Sequence, residues 1–224
     1  MSGTLVSNAT YRMKFKQGWT KVTTGWRKFL FAIRVKGYLF CLRPLIVNLK
    51  METDLNNIKK ISKEKWDENW EFRSFLKGFD ISMEKLDAIV HKLYHQVSSR
   101  IDCTQCANCC KEGSPIFDHA DIKKFSKGLG ISFSDFQERY LRKDDESERY
   151  IVNKTPCPFL KNNLCSNYKY RPKDCRSFPH LQKDEFVFRL IGVIDNCFVC
   201  PIVFNVYELL KEELWHKFND FEFD

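Results

Sequence analysis

The 224-residue sequence has no run of about 18 apolar residues, so no membrane-spanning helix is expected from it. It also lacks a glycine-rich nucleotide loop, a P-loop and a G-x-S-x-G elbow, which disfavours the common nucleotide-dependent enzymes and serine hydrolases. Repeats and low-complexity tracts are missing. There is no hydrophobic signal segment at the start, and the ten cysteines therefore read as thiols of a reducing, cytoplasmic compartment rather than a secreted disulfide scaffold.

A further absence divides the chain. Residues 1–50 contain no Asp or Glu but ten of the 37 Lys and Arg, so residues 51–224 hold 27 basic against 29 acidic residues. The net charge of +8 thus belongs to an extension, and the remainder lacks the basic footprint that binding a phosphate backbone needs. Nucleic acid is a disfavoured partner. For the extension three readings stay open: a flexible arm or membrane-surface segment, an organelle-targeting peptide, or upstream sequence outside the native protein, since Met51 opens a mixed-charge beginning. Cys41 falls in this segment and is left out of any site. Residues 51–224 form the expected working domain, and 43% hydrophobic and 15% aromatic residues are ample for a core.

What is abundant is cysteine at close spacing. In "CTQCANCC", Cys103, Cys106, Cys109 and Cys110 occupy eight residues. Adjacent cysteines bridge only as a strained ring, whereas C-x2-C brings two thiolates to one metal. The others, Cys157, Cys165, Cys175, Cys197 and Cys200, lie in "PCPFLKNNLCSNYKYRPKDCRSFP" and "DNCFVCP", beside prolines that limit the entropy lost when loops become fixed.

The frame around them reads as α-rich α+β: a small single domain of short helices with a minor β element. "DISMEKLDAIVHKLYHQVSSR" has Leu86, Ile89, Val90, Leu93 and Val97 at helical spacing, with His91 and His95 on the opposite, solvated side. "FDHADIKKFSKGLG" predicts a helix capped by Asp118 and stopped at Gly128 or Gly130. "SFSDFQERYL" predicts another, with a capping box of Ser134 and Gln137. "SERYIVNKTPCPFL" reads as extended, "DEFVFRLIGVID" as a strand, and the segment from Pro201 as a helix striped by Val203, Val206, Leu210 and Leu214.

Over roughly residues 100–205 the pattern C-x2-C-x2-C-C, then C-P-F-L and C-x-x-Y-x-x-R-P-x-x-C-R-x-F-P, resembles the YkgJ-type cysteine-cluster family of zinc- or iron-chelating domains, also found as a module in flagellin lysine N-methylases. The resemblance implies a metal site drawing on Cys103, Cys106, Cys109, Cys110, Cys157, Cys165, Cys175 and Cys200. Ala107, where the family often has glycine, and Asn167, often an aliphatic position, are departures; Cys197 is an addition to the pattern.

The chemistry leaves two metals open. C-x2-C-x2-C matches three ligands of a ferredoxin-type iron–sulfur cluster, and Cys157 and Cys200 each precede proline; against this, Gly113 stands where such a motif continues with cysteine, and all-cysteine zinc sites use the same C-x2-C unit. Adjacent Cys109 and Cys110 belong to different centres, or one of them only supports a ligand. Around the thiols, Arg171 and Arg176 either offset thiolate charge or pair with Asp174 or Glu185, and Phe159, Tyr168 and Phe178 read as an apolar wall. His119 and His180 are lesser candidates for mixed ligation, and Asp121 reads as a helix-start or supporting carboxylate. Two function classes follow: an iron or iron–sulfur centre for redox chemistry, alone or within an enzyme that modifies a small molecule or protein, or a structural or metal-handling module that holds zinc or iron and engages a protein partner.

Overall fold

Four of the helices of eight or more residues begin at a side chain that satisfies free amide groups. Asp54 accepts from Asn56 N and Asn57 N at the start of α1 (Leu55–Glu64), and Ser82 accepts from Lys85 N at the start of α3 (Met83–Ser98), with α2 (Trp66–Gly78) between them. The computed structural model describes residues 51–144 and 148–216, together with the backbone of 32–35 and 38–41. The extension expected over residues 1–50 lies outside the described residues apart from two short strands, β1 (Ala32–Val35) and β2 (Tyr38–Cys41), paired antiparallel with Ala32 opposite Cys41. By its contacts the chain divides into Met1–Leu49 and Lys50–Asp224.

Helices α1 to α3 pack with α9 (Leu190–Cys197) and α10 (Pro201–Lys211) around Ile58, Phe72, Val90, Ile194, Val203, Tyr207 and Leu210. Burying each such side chain contributes about 1.5–3 kcal/mol. The predicted strand in "DEFVFRLIGVID" is instead a 3-10 turn, Phe186–Arg189, running into α9. A short apolar run does not reveal its period; here Leu190, Val193, Ile194 and Cys197 are the buried set, and their spacing is helical. What starts the turn is remote in sequence: the buried carboxylate of Asp87 accepts from Glu185 N at 2.7 Å and from Phe186 N at 2.9 Å.

A buried ammonium joins two of these helices. Lys211 is fully buried, and its Nζ lies 2.7 Å from Glu68 Oε1 and 2.7 Å from Glu208 Oε1. Burial alone would raise the pKa of Glu68, but the hydrogen bond and charge of Lys211, with Lys65 behind it, hold the carboxyl below its ordinary value. A lowered folded pKa means that this contribution to stability is complete above the unfolded value of about 4.5 and is lost as pH falls through the folded one. Urea midpoints measured from pH 6 down to about pH 3 are expected to fall less steeply in Glu68→Gln than in the parent. Parallel curves would disprove the assignment.

The second part of the domain is built from short pieces. Two small helices, α4 (Cys103–Cys106) and α5 (Asn108–Glu112), lead to β3 (Ile116–Phe117), α6 (His119–Leu129), α7 (Phe133–Tyr140), β4 (Leu141–Lys143) and β5 (Tyr150–Val152). The strands form an antiparallel sheet in the order β3-β5-β4. Phe117, Ile122, Phe125, Phe136, Leu141, Val152 and Phe159 close a separate aromatic core beside it. Asp118 caps α6 as expected, whereas α7 is capped by Ser132, which accepts from Asp135 N, and not by Ser134.

Gly130, left-handed at φ 70°, ends α6. Gly128 has another role: a Cβ there would lie 2.3 Å from Cδ2 of Tyr170 and 2.4 Å from Asn167 Oδ1. Gly128→Ala is therefore expected to lower stability by about 1–3 kcal/mol in urea unfolding, because the 168–170 turn must move. Among the described residues no helix is long and apolar enough to cross a membrane.

Candidate metal centre

The side chain of Asp102 caps α4 by accepting from Thr104 N, and the chain then passes through Ala107 at φ 49° and ψ 18° before α5 begins. That left-handed turn costs alanine roughly 1–2 kcal/mol and would cost glycine little. Cys103 and Cys106, three residues apart on one helical turn, share a face. Asn108 fixes this segment by donating Nδ2 to Val199 O at 2.8 Å, next to Cys200. Gly113 turns the chain so tightly that a Cβ there would lie 2.7 Å from Cys109 O.

The remaining cysteines arrive from three directions. Cys157 donates its N–H to Cys110 O at 2.8 Å, and Leu160 N returns to Cys157 O at 3.0 Å. A hairpin of β6 (Leu160–Lys161) and β7 (Leu164–Cys165) then sets Cys165 opposite Leu160, turning through Asn162 and Asn163, both at positive φ. Asn167, buried, donates Nδ2 to Phe125 O at 2.9 Å and holds the following 3-10 turn, Tyr168–Tyr170, against α6. Cys175 lies in α8 (Lys173–Ser177), which Asp121 anchors by accepting from Lys173 N and which Asp174 ties to β3 by accepting from Ile116 N. Cys200 is the residue before Pro201 at the start of α10.

These elements enclose a cavity of about 480 Å³ whose lining includes Cys103, Cys106, Cys109, Cys110, Cys157, Cys165, Cys175 and Cys200. It lies between the two cores: Cys200 belongs to the larger, and Cys157 and Cys165 pack on the smaller. Cys197 does not line it and is buried in the larger core. All nine cysteines of the described residues are free thiols. Among the described residues, however, no three His, Cys, Asp or Glu side chains stand together so as to hold a metal ion.

Burial dominates the electrostatics. It pushes the Cys200 thiol up to about 12 and raises Cys103, Cys157, Cys165 and Cys175 as well, with neighbouring thiols adding to the effect. Cys109 and Cys110 share a hydrogen bond that lowers Cys110 and raises Cys109.

The surrounding residues separate into those that reach the cavity and those that do not. Arg171 and Arg176 both line it; Arg171 stacks 3.7 Å over the ring of Tyr168, and Arg176 lies 3.9 Å from Asp121 rather than against Asp174 or Glu185. Phe159 is buried and Phe178 partly so, but Tyr168 is 56% exposed, so it stands at the cavity's edge rather than within the wall. His180 lines the cavity, with Nε2 3.2 Å from Asp174 Oδ1 and Nδ1 2.9 Å from Ser177 Oγ. His91, His95 and His119 do not line it. The positioning roles of Asn108, Asn167 and Gly113 were not read from the sequence; the glycine at the end of a cysteine motif was the one available signal.

Residues 102–190 match the model of the CxxCxxCC family, described as a "putative zinc- or iron-chelating domain". No curated protein and no solved structure matches the chain.

Proposed function

With residues 102–190 matching the CxxCxxCC family, we propose that the protein binds iron, as an iron–sulfur cluster, through thiolates drawn from Cys103, Cys106, Cys109, Cys110, Cys157, Cys165, Cys175 and Cys200. The observation that carries this reading is the common cavity: eight thiols drawn from five separate segments line it, while Cys197 does not. The donor set fits, since iron–sulfur clusters and structural zinc are both held by four cysteine thiolates. The thiols must still converge, because among the described residues none stands in a ready group of three, so that metal binding and local folding are coupled.

When bound, an iron–sulfur cluster supplies one-electron transfer, whereas zinc supplies cross-linking alone. The chain's own residues do the rest. Phe117, Phe125 and Phe159 keep water from one side of the cavity, and the guanidinium groups of Arg171 and Arg176 offset thiolate charge. The working unit in this reading is residues 51–224, in a reducing compartment such as the cytoplasm, with residues 1–50 a separate extension.

Anaerobic purification followed by metal and sulfide analysis tests the proposal. Brown protein with iron and acid-labile sulfide is the expected result. Colourless protein with stoichiometric zinc would replace the redox reading by a structural or metal-handling module, and protein that takes up neither metal would overturn both.

A further inference from the structure

We propose that the mouth of the cysteine cavity, built from Leu164, Tyr168 and Arg171 with Lys161 and Lys169 beside it, docks an acidic segment of a partner protein that also carries an apolar side chain. The inference rests on the metal-binding reading above and names the partner which that site would serve. Two large side chains stand open here: Leu164 is 54% exposed and Tyr168 56%, and both line the cavity. A side chain that lines a cavity and is more than half exposed lies at its opening. Cys103, the one exposed thiol among the nine free cysteines of the described residues, lines the same cavity. The Asn163 amide donates to Gln105 O at 3.1 Å, which ties the tip of the β6–β7 hairpin to the helix carrying Cys103. A segment seated on Leu164 therefore lies beside the cysteines.

Charge sets the chemistry of the occupant. Residues 157–180 hold five Lys or Arg against one acid, Asp174, although residues 51–224 hold 27 basic against 29 acidic residues. Asp174 is already engaged by His180 and by Ile116 N. Lys173 pairs with Asp118 and Arg176 lies 3.9 Å from Asp121, but Lys161, Lys169 and Arg171 have no carboxylate partner among the described residues. Lys161 is opposite Leu164 in the hairpin, and residues directly opposite on an antiparallel pair project to the same face. Arg171 stacks over Tyr168 and donates Nη1 to Tyr168 O at 3.3 Å, so its planar fork is held in place before a carboxylate arrives. Exposed apolar groups flanked by unpaired cations complement a segment that mixes Asp or Glu with an apolar residue, and Tyr and Arg are the residue types in which binding energy concentrates.

The layout favours a polypeptide over other anions. Lys161 and Lys169 are exposed and do not line the cavity, so the cations run outward along the hairpin and the following turn and do not converge on one small anion. A nucleic acid would extend beyond this patch onto a domain whose remaining charge is negative, which a phosphate backbone disfavours.

Random linear peptides displayed on phage serve as the probe, selected on full-length protein reconstituted anaerobically with iron and sulfide, or with zinc where no cluster forms, its metal content measured on the same sample. Enriched sequences should combine Asp or Glu with an apolar residue. Their affinity, read by fluorescence anisotropy of the labelled peptides, should fall about tenfold in the double variant Lys161→Glu, Lys169→Glu, and again between about 50 and 500 mM salt. Tyr168→Ala should weaken binding by a similar factor. Metal content of the double lysine variant should equal the parent's, because neither lysine reaches the cavity. Metal-loaded protein that enriches no acidic peptides, binding indifferent to the two lysines, or tighter binding of a single-stranded oligonucleotide than of the selected peptides would each overturn the docking surface while leaving metal binding intact. Protein that takes up neither metal would instead remove the metal-binding reading and this inference with it. The wild-type selection and its salt dependence decide the matter even where a variant does not fold.

Discussion

Cys175→Ser is expected to lose metal and thermal stability together. Four-thiolate zinc binding is worth about 10–16 kcal/mol, so removing one ligand of four should weaken retention by roughly 2.5–4 kcal/mol, on the order of a hundredfold to a thousandfold. The serine hydroxyl is a poor ligand, and the remaining buried thiolates lose the charge that balances them. Cys197→Ser is the control. The sequence pattern alone suggests that this change should do little, because Cys197 is an addition to the family motif. Its position alters the expectation: the side chain is buried in the larger core, so a hydroxyl without a partner should cost about 1–3 kcal/mol while metal content stays at the wild-type value. Metal per chain and the unfolding midpoint, measured on both variants, separate the two effects. Full metal in Cys175→Ser with loss in Cys197→Ser would show that the ligand set is wrongly drawn.

Phe159→Ala should be the more costly change to the fold itself, at about 3–5 kcal/mol. Its ring is buried, with centroids 4.8 Å from Phe125 and 5.0 Å from Tyr140, and its carbonyl accepts from Ser166 N at 2.8 Å. It also separates Cys157 from the hairpin that presents Cys165, so metal retention should fall with stability even though no ligand has been touched. Phe188, 71% exposed, is the matching control, and Phe188→Ala should stay within about 0.5 kcal/mol of the parent. Urea midpoints for the two variants test this, and equal midpoints would mean that the aromatic core beside the cysteines contributes little.

The helical faces were legible because their periodicity is long. Leu86, Val90, Leu93 and Val97 repeat over a 16-residue helix, and Pro201 marks the start of α10. The segment around Phe186 was misread because its turn is set by Asp87, about a hundred residues away, and no local pattern carries that information. Ser134 fits the three-residue spacing to Gln137, but Ser132, two residues earlier, is the cap, accepting from Asp135 N at 3.0 Å. At the cysteines it was the family resemblance, rather than spacing alone, that named the eight thiols found lining the cavity. It did not identify what holds the turns: the Asn108 and Asn167 amides each bind a carbonyl distant in sequence, and asparagine in a loop is too common to mark such a role.

The hairpin between Leu160 and Cys165 constrains length more than composition. Its turn has two residues, Asn162 and Asn163, with φ of 49° and 62°, as a two-residue turn of the I′ class demands. Side chains alternate faces along a strand, so one inserted or deleted residue would turn Cys165 away from the cavity however well the new sequence suited a hairpin. Substitution of either asparagine by glycine keeps the register and should be tolerated. Drift in this segment is therefore open to exchanges of residue type and closed to changes in the number of residues.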